Sequence, residues 1–354
     1  MMATKKMRRK VIFVAESVEV RVPASTANLG PGFDAVGMAL ELFNVVRMGT
    51  TTTGLEITVL GDSRDQPLDW TNLVARSAAA LFEETGLPVP GLRIHVHQRI
   101  PVSRGLGSSA AAIVAGLVGA NALAGFPLTA DDLFQLATEI EGHPDNVAAA
   151  LFGGFVVSVA DRRHRLRHVK LDVPSGLHLV VAIPDFHVPT ELARRVLPGS
   201  VTLADAVYNI SRTALLVASV ASGRFDFLGD AMSDRLHQPY RAALVPGLDD
   251  VLAAAREAGA LGAALSGSGP SVVAFAACDP HRVARAMAAT FAENGVASRT
   301  VVTRACRRGA VVGHGLEASA DESRANESPF GTRGPGSGIR PSMRRALRRG
   351  EVRS

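Results

Sequence analysis

The sequence predicts an α+β protein built in two layers, and three observations carry that reading. Of its 354 residues 47% are hydrophobic, enough for a sizeable core in one large domain or two smaller ones. Period-2 stretches such as SVEVRV and GLEITVL are interspersed with longer runs of helical period. The two kinds of segment do not follow one another in strict βαβ order, which argues against a doubly wound sheet.

Taken in order, SVEVRV reads as a strand, interrupted by the Gly/Pro/Asn-rich ASTANLGPGFD before a second apolar segment. The strands GLEITVL and LRIHVHQRI flank the helix TNLVARSAAALFEETG, with Thr71 or Asn72 as its N-cap and Gly86 as its stop. A helix follows RGLGSSAAA to about Ala124, and another opens at TADD, where Thr129 can cap and Asp131 and Asp132 suit the positive helix end. HPDNVAAALF reads as a helix, GGFVVSVA, HVKLDV and GLHLVVAIP as strands. The later half gives helices near 202–221, 248–258 and 280–293, and strands near 260–265, 271–277 and 297–304. His95 and His97 share a strand face and read as a surface pair.

Charge excludes some functions. Of the formal +5, the first ten residues carry +5 and residues 315–354 carry +3, which leaves residues 11–314 at −3. With one Trp and two Tyr, the body offers neither a phosphate-backbone footprint nor stacking platforms, so no nucleic-acid partner is expected. The apolar VIFVA after the basic N-terminus is too short for a secretory signal, and no apolar stretch nears the roughly 18 residues that span a bilayer. Cys278 and Cys306 stand apart, with no metal or disulfide spacing, as expected of a cytoplasmic protein with reduced thiols. The organisation expected is a basic extension over 1–16, a domain over 17–165, a second over 166–310 and a disordered arginine-bearing tail over 311–354.

RGLGSSAAA, residues 104–112, follows a strand and opens a helix, so its backbone N–H groups can hold an anion. It satisfies a relaxed GxGxxA dinucleotide pattern. The second parallel strand ending in an acid is missing, since the helix leads through GFPLTADD into another helix. No Lys-Ser/Thr follows the glycines, which excludes a Walker A loop. A second cluster, Gly267-Ser268-Gly269-Pro270, lies between two apolar strands, and the two glycine loops can line one site. A third motif, PASTANLGPGFD, places Asn28 and Asp34 in a turn-rich loop.

These three motifs, in this order, resemble the GHMP kinase superfamily, and ANLGPGFDAVGMAL with EIEGHPDNVAAALFGGF resembles its homoserine kinase family. The resemblance covers roughly residues 17–305 and implies a two-domain fold, ribosomal-protein-S5-domain-2-like at the N-terminus and a ferredoxin-like α/β sandwich at the C-terminus. It implies an ATP-dependent kinase that phosphorylates the side-chain hydroxyl of L-homoserine to O-phospho-L-homoserine, a step of threonine biosynthesis. The alternatives are another small-molecule kinase with a mevalonate-like acceptor and an inactive binding protein of the same fold.

By that resemblance Pro101, Val102, Ser103, Arg104, Gly105, Leu106, Gly107, Ser108, Ser109, Ala110 and Ala111 wrap the phosphates of ATP. Ser109, with Ser108 as the alternative, and Glu139 meet Mg2+. Asn28, Asp34, His143, Asn146 and Gly267 contact the acceptor, and Arg194 and Arg241 form a cationic pole for its carboxylate, a role that suits the planar guanidinium fork. Asn146, Thr190 and Arg194 are the residues expected at the reacting hydroxyl, with no general base assigned and Asp145 read as a helix cap. The partners implied are L-homoserine and ATP, with a homodimer left open and neither nucleic acid nor membrane among them.

Overall fold

The computed structural model describes residues 15–61, 66–174 and 176–314. Its chain begins with β1 (Ser17–Asn28) and β2 (Gly32–Thr51), paired antiparallel along most of their length. The reversal between them is confined to Leu29–Pro31. ASTAN was expected to be loop; it is strand, because Asn28 and Leu29 adopt left-handed backbone at φ 67° and 48° and turn the chain within three residues. Such conformations cost a non-glycine residue on the order of 1–3 kcal/mol and persist where the surroundings impose them.

β3 (Leu55–Gly61), α1 (Leu73–Glu84) and β4 (Gly91–Gln98) form a crossover that leaves β3 and β4 parallel. Asn72, one of the two caps expected, accepts from the Val74 N–H at 3.0 Å. His95 and His97 lie exposed on β4, as a surface pair should. Next come α2 (Ser108–Leu123), α3 (Ala130–Glu141) and α4 (Asp145–Phe152). α2 is apolar on every side and is therefore buried, packed against β1, α1, α3 and α4. Thr129 and Asp132 close a reciprocal capping box on α3. β5 (Phe155–Ala160) and β6 (Leu166–Leu171) extend the first sheet from β2.

The second sheet holds β7 (His178–Pro184). After it come α5 (Thr190–Arg195), α6 (Leu203–Ser222), α7 (Leu228–Ala231), α8 (Gln238–Arg241) and α9 (Leu248–Glu257). β8 (Gly262–Leu265), β9 (Val272–Ala276), α10 (Pro280–Glu293) and β10 (Ser298–Arg304) follow, giving the antiparallel order β10-β7-β9-β8. α9 and α10 cover one face through Leu252, Met287 and Phe291, which close on Val180, Leu265 and Ala274. β11 (Val311–His314) returns to the first sheet, whose order is β11-β1-β2-β4-β3 with β5 on β2 and β6 on β5.

Two boundaries differ from expectation. A division at 165/166 would separate β6 from β5, its antiparallel partner through six residue pairs, so the first layer extends through Leu171. Residues 311–314, placed in the disordered tail, form β11 because their backbone completes the edge of β1. The remaining tail, 315–354, and the first fourteen residues of the basic extension lie outside the described residues. No helix among the described residues is long and apolar enough to cross a membrane.

Candidate active site

The three glycine-bearing motifs meet. The phosphate-type loop is tied to β1 by the Ser25 N–H donating to the Leu106 carbonyl at 3.1 Å. It is tied to the β8–β9 loop by Ser271 N–H to Arg104 O at 3.3 Å and Ser266 Oγ to Gly105 O at 2.7 Å. Asn28 closes the triangle, donating through Nδ2 to the Gly267 carbonyl at 3.0 Å and accepting the Asp34 N–H on Oδ1 at 3.0 Å. These two hydrogen bonds fix the Asn28 side chain where its backbone is left-handed.

Gly107 caps α2 at φ 65°, and the first helical bond runs from the Ala111 N–H to its carbonyl at 2.9 Å. The N–H groups of Ser108, Ser109 and Ala110 therefore precede the ladder and face the loop with the positive end of the helix dipole. The two serines diverge. Ser108 turns inward, its Oγ accepting from Gln98 Nε2 at 3.0 Å, whereas Ser109 Oγ donates to Glu141 Oε2 at 2.6 Å. Burial pushes the Glu141 carboxyl above its usual range, against the lowering effect of Ser109 and His143.

Glu139, expected at the metal, is a correction. It is exposed, and its carboxylate accepts from Gln135 of the same helix at 2.9 Å. Two helical positions lie about 200° apart, so when Glu141 faces the loop Glu139 must face away. Ser109 and Glu141 are a pair of hard oxygen donors beside the anion loop, the donor chemistry that magnesium prefers. A second cluster, Asp34, His143 and Asp145, has ligand atoms within 4.8 Å of one another. There Arg194 already neutralises Asp34 and the His143 ring occupies Asp145, which suits a polar substrate better than a metal ion.

Opposite the loop, Arg194 grips Asp34 with both Nη atoms, at 2.9 and 2.8 Å. That hydrogen-bonded pairing raises the Arg194 pKa further, against partial burial. Arg241 is 2% exposed and donates from Nε to Ala193 O and from Nη1 to Gly267 O, at 3.1 and 3.0 Å. Burial, seconded by the charge of Arg194, pulls its pKa down to about 10, so it stays cationic at neutral pH. Burial alone would lower the pKa of His143; the 2.8 Å bond of its Nδ1 to Asp145 and the charges of Asp145 and Glu141 lift it above the ordinary histidine value instead. Asn146 Oδ1 accepts from Ser25 Oγ at 2.8 Å, and Thr190 Oγ1 lies 3.5 Å from Ser268 Oγ.

One cavity of about 190 Å³ joins both halves. Asn28, Asp34, Val102 through Ser109, His143, Asn146, Thr190, Arg194, Arg241 and Gly267 line it as expected, while Pro101, Ala110 and Ala111 lie buried outside the lining. Sequence reasoning missed Glu141, Ser268 and Gln98 as lining residues and read Asp145 only as a cap. Glu141 had a signal: Gly142 ends α3 in the left-handed conformation, which makes residue 141 the last helical side chain before the GHPDN turn.

Comparison with known proteins places the chain in a family. The family models described as GHMP kinases N terminal domain and GHMP kinases C terminal match residues 72–154 and 216–293. A homoserine kinase of Moorella thermoacetica is 50% identical over 294 residues, covering 83% of this chain and 99% of that protein. One of Synechococcus is 49% identical over 288 residues, covering 80% and 94%. The crystal structure of homoserine kinase from Cytophaga hutchinsonii superposes with a TM-score of 0.77 at 33% identity, over 88% of this chain and all of that one. With relatives matched over nearly their whole length and with the loop, the paired arginines and the two-sheet frame in place, the chain belongs to the homoserine kinase family of the GHMP kinases.

Proposed function

We propose that the chain transfers the γ-phosphoryl group of ATP to the side-chain hydroxyl of L-homoserine, giving O-phospho-L-homoserine and ADP in threonine biosynthesis. The observation that carries this reading is the single cavity in which an anion loop faces a paired carboxylate and guanidinium.

The loop amides and the α2 N-terminus hold the phosphates. Magnesium held by Ser109 and Glu141 would supply neutralising charge at the β- and γ-phosphates. Asp34 and Asn28 take the α-ammonium, Arg194 and Arg241 the α-carboxylate, so a zwitterion exchanges the internal Asp34–Arg194 pair for two pairs of its own. Asn146, Thr190 and His143 hold the hydroxyl in line with the γ-phosphorus; as its oxygen forms the new P–O bond and the bond to ADP breaks, its proton passes to an oxygen of the transferred phosphoryl group. Positioning and electrostatics supply the rate, as phosphoryl transfer requires.

We further place the enzyme in the cytoplasm as a homodimer. The exposed residues of α6 carry no charge: Leu203, Val207 and Ile210, 81%, 55% and 68% exposed, fill its first half, and Ala214, Ala218 and Ala221 its second. Two antiparallel copies bring the large half of one against the small half of the other, a self-complementary two-fold contact. Light scattering of the protein and of Val207→Glu tests it; a monomeric mass for the unaltered chain refutes it.

ADP release over homoserine, mevalonate, galactose and shikimate tests the reaction. Turnover with homoserine is expected to dominate, and turnover of another acceptor without homoserine refutes it.

A further inference from the structure

His237 is fully buried behind Arg241 and does not line the cavity. Its Nε2 lies 2.7 Å from the Gly30 carbonyl oxygen, which can only accept, so Nε2 carries a hydrogen. Its Nδ1 lies 3.3 Å from Arg241 Nη1, which can only donate, so Nδ1 is bare. The two contacts admit a single form of the ring, the neutral Nε2–H tautomer.

The turn that carries the ring is held by Asp234. Asp234 accepts the backbone N–H groups of His237 and Gln238 at 2.9 and 2.6 Å, and Asn209 of α6 donates to the same carboxylate at 2.6 Å. Phe33 stands 5.2 Å from the imidazole, centroid to centroid, and has the guanidinium carbon of Arg241 at 5.3 Å over its ring. One buried imidazole thus joins the turn after Asn28 to the arginine that shares the Gly267 carbonyl with Asn28.

We propose that His237 is a positioning residue for the amino-acid acceptor, acting through Arg241 and the Gly30 turn to aim the guanidinium at the acceptor's carboxylate. The inference rests on the reading of Arg241 as part of the carboxylate pole. It is specific about atoms: the bare Nδ1 serves Arg241, and Nε2–H serves the turn.

The test is the KM for homoserine and for ATP in Arg241→Lys, His237→Ala, His237→Asn and His237→Gln. Asn keeps an acceptor oxygen near the Nδ1 position, whereas Gln keeps a donor near Nε2 and loses the contact to Arg241. The Ala and Gln variants are expected to raise the homoserine KM roughly tenfold to a hundredfold, the range for a hydrogen bond to a charged group, with the ATP KM within about twofold. Asn is expected to recover most of the loss. Should His237→Ala fail to fold, the Asn and Gln variants decide alone. An unchanged homoserine KM in Arg241→Lys removes the underlying carboxylate reading. A raised KM there, with His237 variants that leave homoserine untouched, weaken both substrates equally or favour Gln over Asn, overturns the positioning role alone.

Discussion

Ser109 donates its hydroxyl to Glu141 across 2.6 Å, joining the first turn of α2 to the last residue of α3. The bond brings a carboxylate to the helix end that faces the phosphate loop, where a buried anion is held against its desolvation cost by Ser109 and His143. Glu141→Gln removes the charge and keeps the shape. The expected loss in kcat is roughly 10²–10³-fold, the scale of one preorganised electrostatic contact, with a higher magnesium requirement for half-maximal rate. Glu139→Gln, on the exposed side of the same helix, is expected to leave both unchanged. Equal losses in the two variants would show that α3 contributes no specific carboxylate to the site.

The second prediction concerns the fork between Arg194 and Asp34. Arg194→Lys keeps the charge and loses the two parallel N–H groups, so the homoserine KM is expected to rise about 10- to 100-fold with little effect on ATP. Arg195→Lys is the control, since the next residue along α5 is exposed and points elsewhere. Steady-state kinetics with each substrate varied in turn decides it. A rise in the ATP KM equal to that for homoserine would move Arg194 from the acceptor pole to the phosphates.

Much of this was legible along the chain. The capping box of α3, the Asn72 cap and the helical periods of α6, α9 and α10 are local signals, and local physics suffices to place them. The strand that runs through Asn28 was not legible, because its left-handed turn is imposed by Gly267, 239 residues away. β6 and β11 were misplaced for a similar reason: pairing partners, rather than composition, assign a strand to a layer. Glu139 and Glu141 have the same chemistry and nearly the same position, and only the rotation of α3 against α2 separates them.

Two histidines predict the pH profile of stability. His143 has a folded pKa raised above the unfolded value of about 6.5, so its contribution is complete below that pH and is lost as pH rises through the folded pKa. Burial lowers the pKa of His237, so its contribution is complete above about pH 6.5 and is lost as pH falls through the folded pKa. Melting temperatures between pH 5 and 8 are expected to fall on both sides of an intermediate maximum. His143→Gln should flatten the alkaline side and His237→Asn the acid side; the reverse pattern would mean that the charge states assigned here are wrong.

The seam between the phosphate loop and the β8–β9 loop depends on Gly105. Its φ of 73° is left-handed, and a Cβ there would run into the Ser266 carbonyl, with the backbone of Gly269 at about 3 Å behind it. Gly105→Ala combines a left-handed alanine, on the order of 1–2 kcal/mol, with overpacking of about 1–3 kcal/mol. The loops must part to admit the methyl group, which breaks the Ser266–Gly105 bond and shifts the amides that precede α2. The ATP KM is therefore expected to rise more than the homoserine KM, together with a lower melting temperature. Gly199→Ala has open space around its Cβ and should change neither. A Gly105→Ala protein with the unaltered melting temperature and ATP KM would mean that the two loops slide apart at no cost and that their contact does not shape the phosphate site.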